Sequence, residues 1–391
     1  MKKEWQTKRL GDVCEIIKGR KPALKATATN GDLPYLVAKV MRGSKEAEYA
    51  SVKDRNSITV EESETIIICD GSNSGEVFTG FRGILSSTMG KIAKKAEIDD
   101  DYLRAFLAST FDVFNGAKTG AAIPHLDKEA MYQLQFPFPP LAEQQRIVGL
   151  LDEAFAGLAT AKANAEKNLQ NARALFESHL QSVFTQRGPG WKATTLGPEI
   201  DLLAGFAFKS AQYTSDDDDI RLLRGDNIIQ GCLRWDDVKR WPADDTGDYV
   251  RYQLEEGDVV LAMDRPWVKA GLKHATISAD DLPCLLVQRT ARLRGGANLD
   301  NRFLKLLIGS SAFTGHILGV QTGIGVPHIS GQQIKDFEFA RPPLAEQRRI
   351  ADNLESLREE TQRLARIYER KLAALAELKK SLLHQAFTGE L

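Results

Sequence analysis

Long apolar runs are missing from this 391-residue chain, and so is any excess of charge. No stretch approaches the ~18 consecutive apolar residues that a membrane span needs, so no membrane partner is expected. The opening MKKEWQTKRLGD has a charged head but no apolar stretch behind it, and does not read as a secretory signal. Cysteine is scarce: Cys14, Cys69, Cys232 and Cys284 lie far apart, and none sits in a C-x-x-C pair. Neither a zinc ribbon nor a disulfide frame is suggested; reduced thiols in a cytoplasmic protein are the expectation. A net charge of −1 argues against a protein that coats DNA by bulk positive charge. It leaves room for basic loops placed locally.

Catalytic constellations are also missing. The string nearest to a phosphate-binding loop, GILSSTMGK (83–91), has the wrong spacing. Neither H-E-x-x-H nor G-x-S-x-G occurs. A DNA amino-methyltransferase would be expected to carry N-P-P-Y or D-P-P-Y, and FPFPPL (136–141) is neither. Asp70 and Asp264 share a place at a strand end but lack an E-x-K partner, so turn capping is the reading. The run Asp216–Asp219 reads as a solvated loop rather than a cation site. His125 and His328 recur in T-G-x-x-x-P-H with no carboxylate beside them in the sequence. A structural role or a contact to phosphate is expected of them.

What is present is a repeat. PPLAEQ stands at 139–144 and again at 342–347, an offset of 203. The same offset carries Thr119, Gly120, Pro124 and His125 onto Thr322, Gly323, Pro327 and His328, and Phe184 onto Phe387. Near the start of each copy the offset is 186, taking Trp5, Leu10, Gly11 and Gly19 to Trp191, Leu196, Gly197 and Gly205. The second copy therefore carries about 17 extra residues in its middle, and one scaffold presents two different central surfaces.

Each copy has two textures. Residues 1–140 and 188–341 hold short β-branched runs such as ETIIICDGSNSG (64–75) and GDVVLAMDR (257–265), read as strands joined by long loops. One helix per copy is expected at 100–109 and 301–310. After Pro140 and Pro343 come roughly 45 residues without proline, the pattern of a long helix about 65 Å in length. The first seam runs Ile147, Leu151, Ala154, Leu158, Ala161, Ala165, Asn168, Ala172, Leu175. The second runs Ile350, Leu354, Leu357, Thr361, Leu364, Tyr368, Lys371, Leu375, Leu378, Leu382. One is alanine-rich and the other bulky, which suits an antiparallel coiled coil. The expected fold is α+β: two mixed α/β recognition globules (1–140, 188–341) alternating with spacer helices (141–187, 342–391) in a pseudo-twofold repeat. The final helix should end near the first globule.

Basic and acidic residues balance within each globule, so recognition must come from placement. Gly-supported basic loops suit contacts to phosphates and base edges. In the first globule these offer Lys18, Arg20, Lys21, Lys25, Lys39, Arg42, Ser72 and Asn73. The second globule offers Lys209, Ser210, Arg221, Arg224, Asn227, Arg265, Lys269 and Lys273.

The chain resembles the specificity subunits of type I restriction–modification enzymes. The resemblance rests on W-x4-LG (5–11, 191–197), GFAFKS (205–210), RGDNI (224–228), GDVVLAMDR and, above all, PPLAEQ-x-RI at 139–147 and 342–350. It implies that each globule reads one half of a split double-stranded DNA site and that the helices set the gap. It also implies docking of methyltransferase subunits, two of them, at Pro140, Leu141, Glu143, Gln144 and Arg146 and at Pro343, Leu344, Glu346, Gln347 and Arg349. Those partners would hold S-adenosylmethionine, a translocase–nuclease subunit would cut unmodified DNA, and this chain would need no cofactor or metal. The first copy departs from the pattern, with GRKPALK in place of GFAFKS and DGSNSG in place of DR-x-W. Two other readings stay open on sequence alone: a stand-alone DNA-modifying enzyme, and a two-headed protein-binding adaptor. An interaction that does not weaken with salt would favour the adaptor.

Overall fold

A computed structural model describes residues 5–116, 125–323 and 325–391. Thr119, Gly120 and Pro124 of the repeat lie outside the described residues. The chain divides into two compact units, one comprising residues 1–166 and 369–391 and the other residues 167–368. Both mix helix and strand in an α+β arrangement. Among the described residues, no single helix is long and apolar enough to cross a membrane.

In the first unit, Gln6–Arg9 pairs antiparallel with Gln135–Phe138. A four-stranded sheet runs in the order Cys14–Lys18, Met89–Lys94, Ile66–Ile68, Val77–Phe78. Ile66–Ile68 is buried throughout, as a β-branched run covered on both faces should be. A second sheet orders Tyr49–Ser51, Asp32–Leu36, Gly83–Leu85 and Thr59–Val60, and its central pair is parallel.

The second unit repeats this plan. Lys192–Thr195 pairs with Glu338–Arg341. One sheet orders Ile200–Ala204, Thr290–Gly295, Val259–Ala262 and His274–Thr276. Ile220–Leu223 lies parallel to Cys284–Leu286. Topology thus matches the two middles where sequence does not. The offset is 187 between Leu36 and Leu223, 194 between Asp70 and Asp264, 201 between Ile84 and Leu285, and 203 between His125 and His328. The extra residues therefore enter mainly in two loops, before and after Asp264, rather than as one insertion. The later loop forms the small hairpin Trp267–Val268 with Gly271–Leu272.

Gly19 and Gly205 explain one matched pair. Each follows an edge strand and passes against the parallel strand's end. A Cβ would meet the Ser86 carbonyl oxygen at 2.2 Å from Gly19, and the Val287 carbonyl oxygen at 2.1 Å from Gly205. Neither obstacle is a side chain that can turn aside. Gly205→Ala is therefore expected to cost about 3 kcal/mol, at the upper end for overpacking. A chemical-denaturation midpoint unchanged from wild type would refute the close-approach account.

The long helices run Leu141–Thr185 and Leu344–Thr388, 45 residues each. Each starts behind two prolines, which lack an N–H and so leave fewer donors of the first turn to satisfy. Within the first unit, Lys379 lies over the Phe155 ring at 5.1 Å, and Ile147 and Leu151 share a core with Leu383 and Ala386. Within the second, Arg358 lies over the Phe176 ring at 4.5 Å, and Phe176 and Leu180 share a core with Ile350 and Leu354. In each unit, rising numbers on one helix meet falling numbers on the other. Phe387 packs against Tyr102 and Phe106, with ring centroids 5.3 and 5.2 Å apart. Its repeat partner Phe184 packs on Phe303 at 5.4 Å. The end of each long helix is thus buried on the globule of the other copy.

The seam read from heptads needs one correction. Leu175 and Leu378 are about half exposed, while Phe176, Leu180, Leu383 and Ala386 are buried. A helix of 3.6 residues per turn drifts about 20° per heptad from a 3.5 repeat. The buried positions of the first helix accordingly step by seven and then by four, through Ala165, Ala172, Phe176 and Leu180.

Candidate nucleic-acid interface

The chemistry of PPLAEQ lies in its glutamine. Gln144 is 1% exposed and Gln347 is fully buried. The Gln144 side chain donates to the Pro139 carbonyl at 2.8 Å and accepts from the Asp99 N–H at 3.0 Å. Gln347 donates to the carbonyls of Pro342 (2.8 Å) and Asn298 (2.9 Å) and accepts from the Asp300 N–H at 2.9 Å. Asp99 and Asp300 are the N-caps of Asp100–Ser109 and Asn301–Ile308. One amide therefore ties the start of each long helix to the cap of the globule's helix. Gln144 and Gln347 are consumed inside the fold rather than offered to a docked subunit. Of their neighbours, Pro140, Leu141, Arg146, Pro343 and Arg349 are exposed, while Glu143, Leu344 and Glu346 are half-buried. Glu143 holds Arg146 at 2.9 Å, and Glu346 accepts from the Trp191 indole N–H at 3.1 Å.

The basic candidates fall into two groups. Arg20, Lys21, Lys39, Lys209, Ser210, Arg265 and Lys269 carry exposed side chains on loops or at a helix start. GFAFKS works as an anchor for two of them: Phe206 and Phe208 enter an aromatic cluster with Trp241 and Tyr249, and Lys209 and Ser210 follow directly.

The second group is spent on internal contacts. Lys25 binds Asp32 at 2.9 Å. Hydrogen bonds from Thr29 and Lys25 hold the Asp32 carboxyl down at about 2. Arg42 pairs with Glu76, which also accepts from the Asn73 amide at 3.3 Å, and Ser72 donates to Asn73 at 3.3 Å. Arg221 donates to the carbonyls of Asp280 and Leu282 and lies over Trp235 at 5.4 Å. Arg224 binds Asp237 at 2.8 Å. Asn227 is 2% exposed, accepting from the Arg224 N–H and donating to the Arg234 carbonyl. Its role is to shape the 224–234 loop. Lys273 is half-buried, and burial pulls its ammonium below the ordinary lysine range.

Sequence reading missed one constellation. The recurring histidines do have a carboxylate: His125 Nδ1 lies 2.8 Å from Asp70 Oδ1, and His328 Nδ1 bonds Asp264 Oδ1. Each Asp–His pair is also an antiparallel backbone bridge. A cation joins each carboxylate, Lys18 at 2.7 Å from Asp70 and Arg289 at 3.4 Å from Asp264. Burial alone would raise the Asp70 carboxyl, but hydrogen bonds from Lys18 and His125 outweigh it and hold it below the usual carboxylate range. The offsets of Asp (194) and His (203) differ, so a single alignment register does not pair them. The acidic run is a local network: Asp219 accepts from Thr214 and the Ala243 N–H, and Asp217 pairs with Arg240. Among the described residues, no group of three His, Cys, Asp or Glu side chains is arranged to hold a metal ion.

One scaffold is used twice, with unlike loops at matched places. Residues 2–169 match the model of the type I restriction modification DNA specificity domain. The chain is 28% identical over 403 residues to the type I restriction enzyme MjaVIII specificity subunit of Methanocaldococcus jannaschii, covering 99% of this chain and 93% of that one. It is 41% identical over 169 residues to the EcoAI specificity subunit of Escherichia coli, covering 43% of this chain and 28% of that one. The fold matches a solved structure described as the basis of "complex assembly and conformational transition of the type I R-M system", at a TM-score of 0.73, 19% identity and 99% and 98% coverage. It also matches the HsdS subunit from Thermoanaerobacter tengcongensis at 0.63, with 18% identity and 100% and 98% coverage. Residues 2–169 thus match the DNA specificity domain of type I restriction modification systems, and the chain over nearly its whole length is similar to a type I specificity subunit.

Proposed function

We propose that this chain is the non-catalytic DNA-recognition subunit of a type I restriction–modification complex, and that its two recognition regions, 1–140 and 188–341, each read one half of a bipartite site. One observation carries the reading: two copies of one sheet topology bear different loops at matched places. DGSNSG stands where the second copy has DRPWVK. Unlike loops on like frames read unlike half-sites. Direct readout needs side chains at base edges, and the exposed loops that carry Arg20, Lys21, Lys209, Ser210, Arg265 and Lys269 offer them.

The long helices set the gap, and the exposed residues at their starts dock two methyltransferase subunits that hold S-adenosylmethionine. A translocase–nuclease subunit completes the restricting form, and the complex works in the cytoplasm. The test is co-expression with a type I methyltransferase subunit from the same genome, followed by genome-wide mapping of modified bases. A bipartite motif with a fixed unspecified gap, lost when this chain is omitted, is expected. An unchanged motif without it would refute the assignment.

A further inference from the structure

The Asp–His pairs do something the loops around them do not: they recur. Between the two copies, Gly71–Ser72–Asn73 is replaced by Arg265–Pro266–Trp267, yet the carboxylate before that loop and the imidazole beside it are the same in both. Two readers of different half-sites share the contacts that carry no sequence information, and those are contacts to the phosphate backbone.

The geometry fits that role. With Nδ1 held by the carboxylate, the imidazole's remaining nitrogen, Nε2, is left for another partner. The His125 side chain is 68% exposed and that of His328 is 32% exposed. A second cation stands on the same carboxylate each time, Lys18 in the first unit and Arg289 in the second. The second unit goes further. Arg265 and Arg289 are its left-handed non-glycine residues among those described, at φ 45° and 67°. Such a backbone disfavours any residue with a Cβ and is held only where the surroundings impose it. Here the Arg265 N–H donates to the Pro327 carbonyl at 2.7 Å, and the Arg289 carbonyl accepts from Met263 at 2.8 Å. The Arg289 guanidinium thereby reaches Asp264, the carboxylate that holds His328, while the Arg265 backbone is tied to Pro327, the residue before His328. At the place of Arg265 the first unit has Gly71, at φ 121°.

We propose that Asp70–His125 and Asp264–His328 are matched phosphate clamps, one in each unit. The carboxylate orients the imidazole so that Nε2–H donates to a DNA phosphate, with Lys18 or Arg289 as the second cation. The inference rests on the DNA-reading function and names where that reading grips the backbone.

The clamp carries a proton balance. A neutral imidazole whose Nδ1–H is given to Asp has only a lone pair at Nε2. Donating from Nε2 to phosphate requires the protonated ring, so a ring that is neutral before binding takes up one proton from solvent. Phosphate on one side and carboxylate on the other favour the imidazolium. The contact needs a charged ring, so the affinity it adds should be present near pH 6 and decline toward pH 8, the range over which imidazoles ordinarily lose their proton. The charged groups at the rings are Asp70 and Lys18 at His125, and Asp264 and Arg289 at His328.

The experiment titrates the full chain with a fluorescein-labelled duplex of mixed sequence, several helical turns long, across salt and pH. The comparison is wild type against the His125→Gln/His328→Gln double variant. Roughly tenfold weaker binding per histidine is expected near pH 6. The log–log salt slope should also be shallower by about 0.9 per clamp, and the decline of affinity toward pH 8 flatter. Asp70→Asn/Asp264→Asn, which leaves the rings in place but no longer fixes their tautomer, should flatten the pH profile too. A merely structural role would lower the melting temperature and leave the profile unmoved. Equal affinity, slope and pH profile in wild type and the histidine double variant would overturn the clamps while leaving DNA reading intact. Failure of the wild-type chain to bind the duplex at all would overturn that reading, and the clamps with it.

Discussion

Gln347→Ala is expected to lower the stability of the second unit by about 3 kcal/mol, because its truncation orphans three buried backbone groups at once. The carbonyls of Asn298 and Pro342 lose their donor, and the Asp300 N–H loses its acceptor. The site is fully buried, so water cannot replace the amide without a cavity large enough to admit it. In a unit of this size a loss of that order lowers its transition by roughly 6–12 °C. Gln144→Ala removes two bonds rather than three and should cost about 2 kcal/mol in the first unit. Gln347→Glu should not rescue, since a carboxylate would face two carbonyl oxygens with no proton to give. Differential scanning calorimetry checks the set. A Gln347→Ala transition within about 2 °C of wild type would refute the latch.

Lengthening both long helices is the second large change. Residues 155 and 379 meet in the first unit, and 176 and 358 in the second, so matched points fall at 166/167 and 367/368. Three heptads inserted at both points keep the seam in phase and add about 31 Å of helix. That is close to one turn of B-DNA, about 34 Å. If the helices are the ruler, the methylated motif should keep both half-sites and gain a gap longer by about nine base pairs at 3.4 Å each. One heptad would add about three base pairs and turn the second half-site away from its reader, so modification should fall sharply. Genome-wide mapping of modified bases reads both cases. A three-heptad variant that still methylates the original gap would show that the helices do not set it.

Much of this was legible because it is local. PPLAEQ twice, a proline-free run after each and the 3.6-residue spacing of Ile147, Leu151, Ile350 and Leu354 are enough to write two long helices into the chain. Proline and helical periodicity act through neighbours a few residues apart, so no tertiary information is needed to see them. The helices Asp100–Ser109 and Asn301–Ile308 were readable for the same reason. The repeat also carried the family resemblance, since order and duplication of short strings survive without contacts.

Tertiary structure decided what depends on distance along the chain. Asp70 meets His125 across 55 residues and Asp264 meets His328 across 64. The loop insertion between them shifts one member of each pair out of register with the other, which made two matched pairs look like two lone histidines. Burial was equally hidden. A glutamine at a helix start reads as solvent-facing until Asp99 or Asp300 is folded against it, and Asn227 reads as a reader of bases until its loop closes over it. Exposed and spent cations have the same letters; only the placement of Asp32, Glu76 and Asp237 separates Lys25, Arg42 and Arg224 from Arg20, Lys21 and Arg265. By itself, then, the sequence determined the repeat, the helices and the family resemblance, because these follow from short-range pattern. The fold decided which polar side chains face outward and which hold the protein together, because that choice is made by partners brought close only when the strands pair.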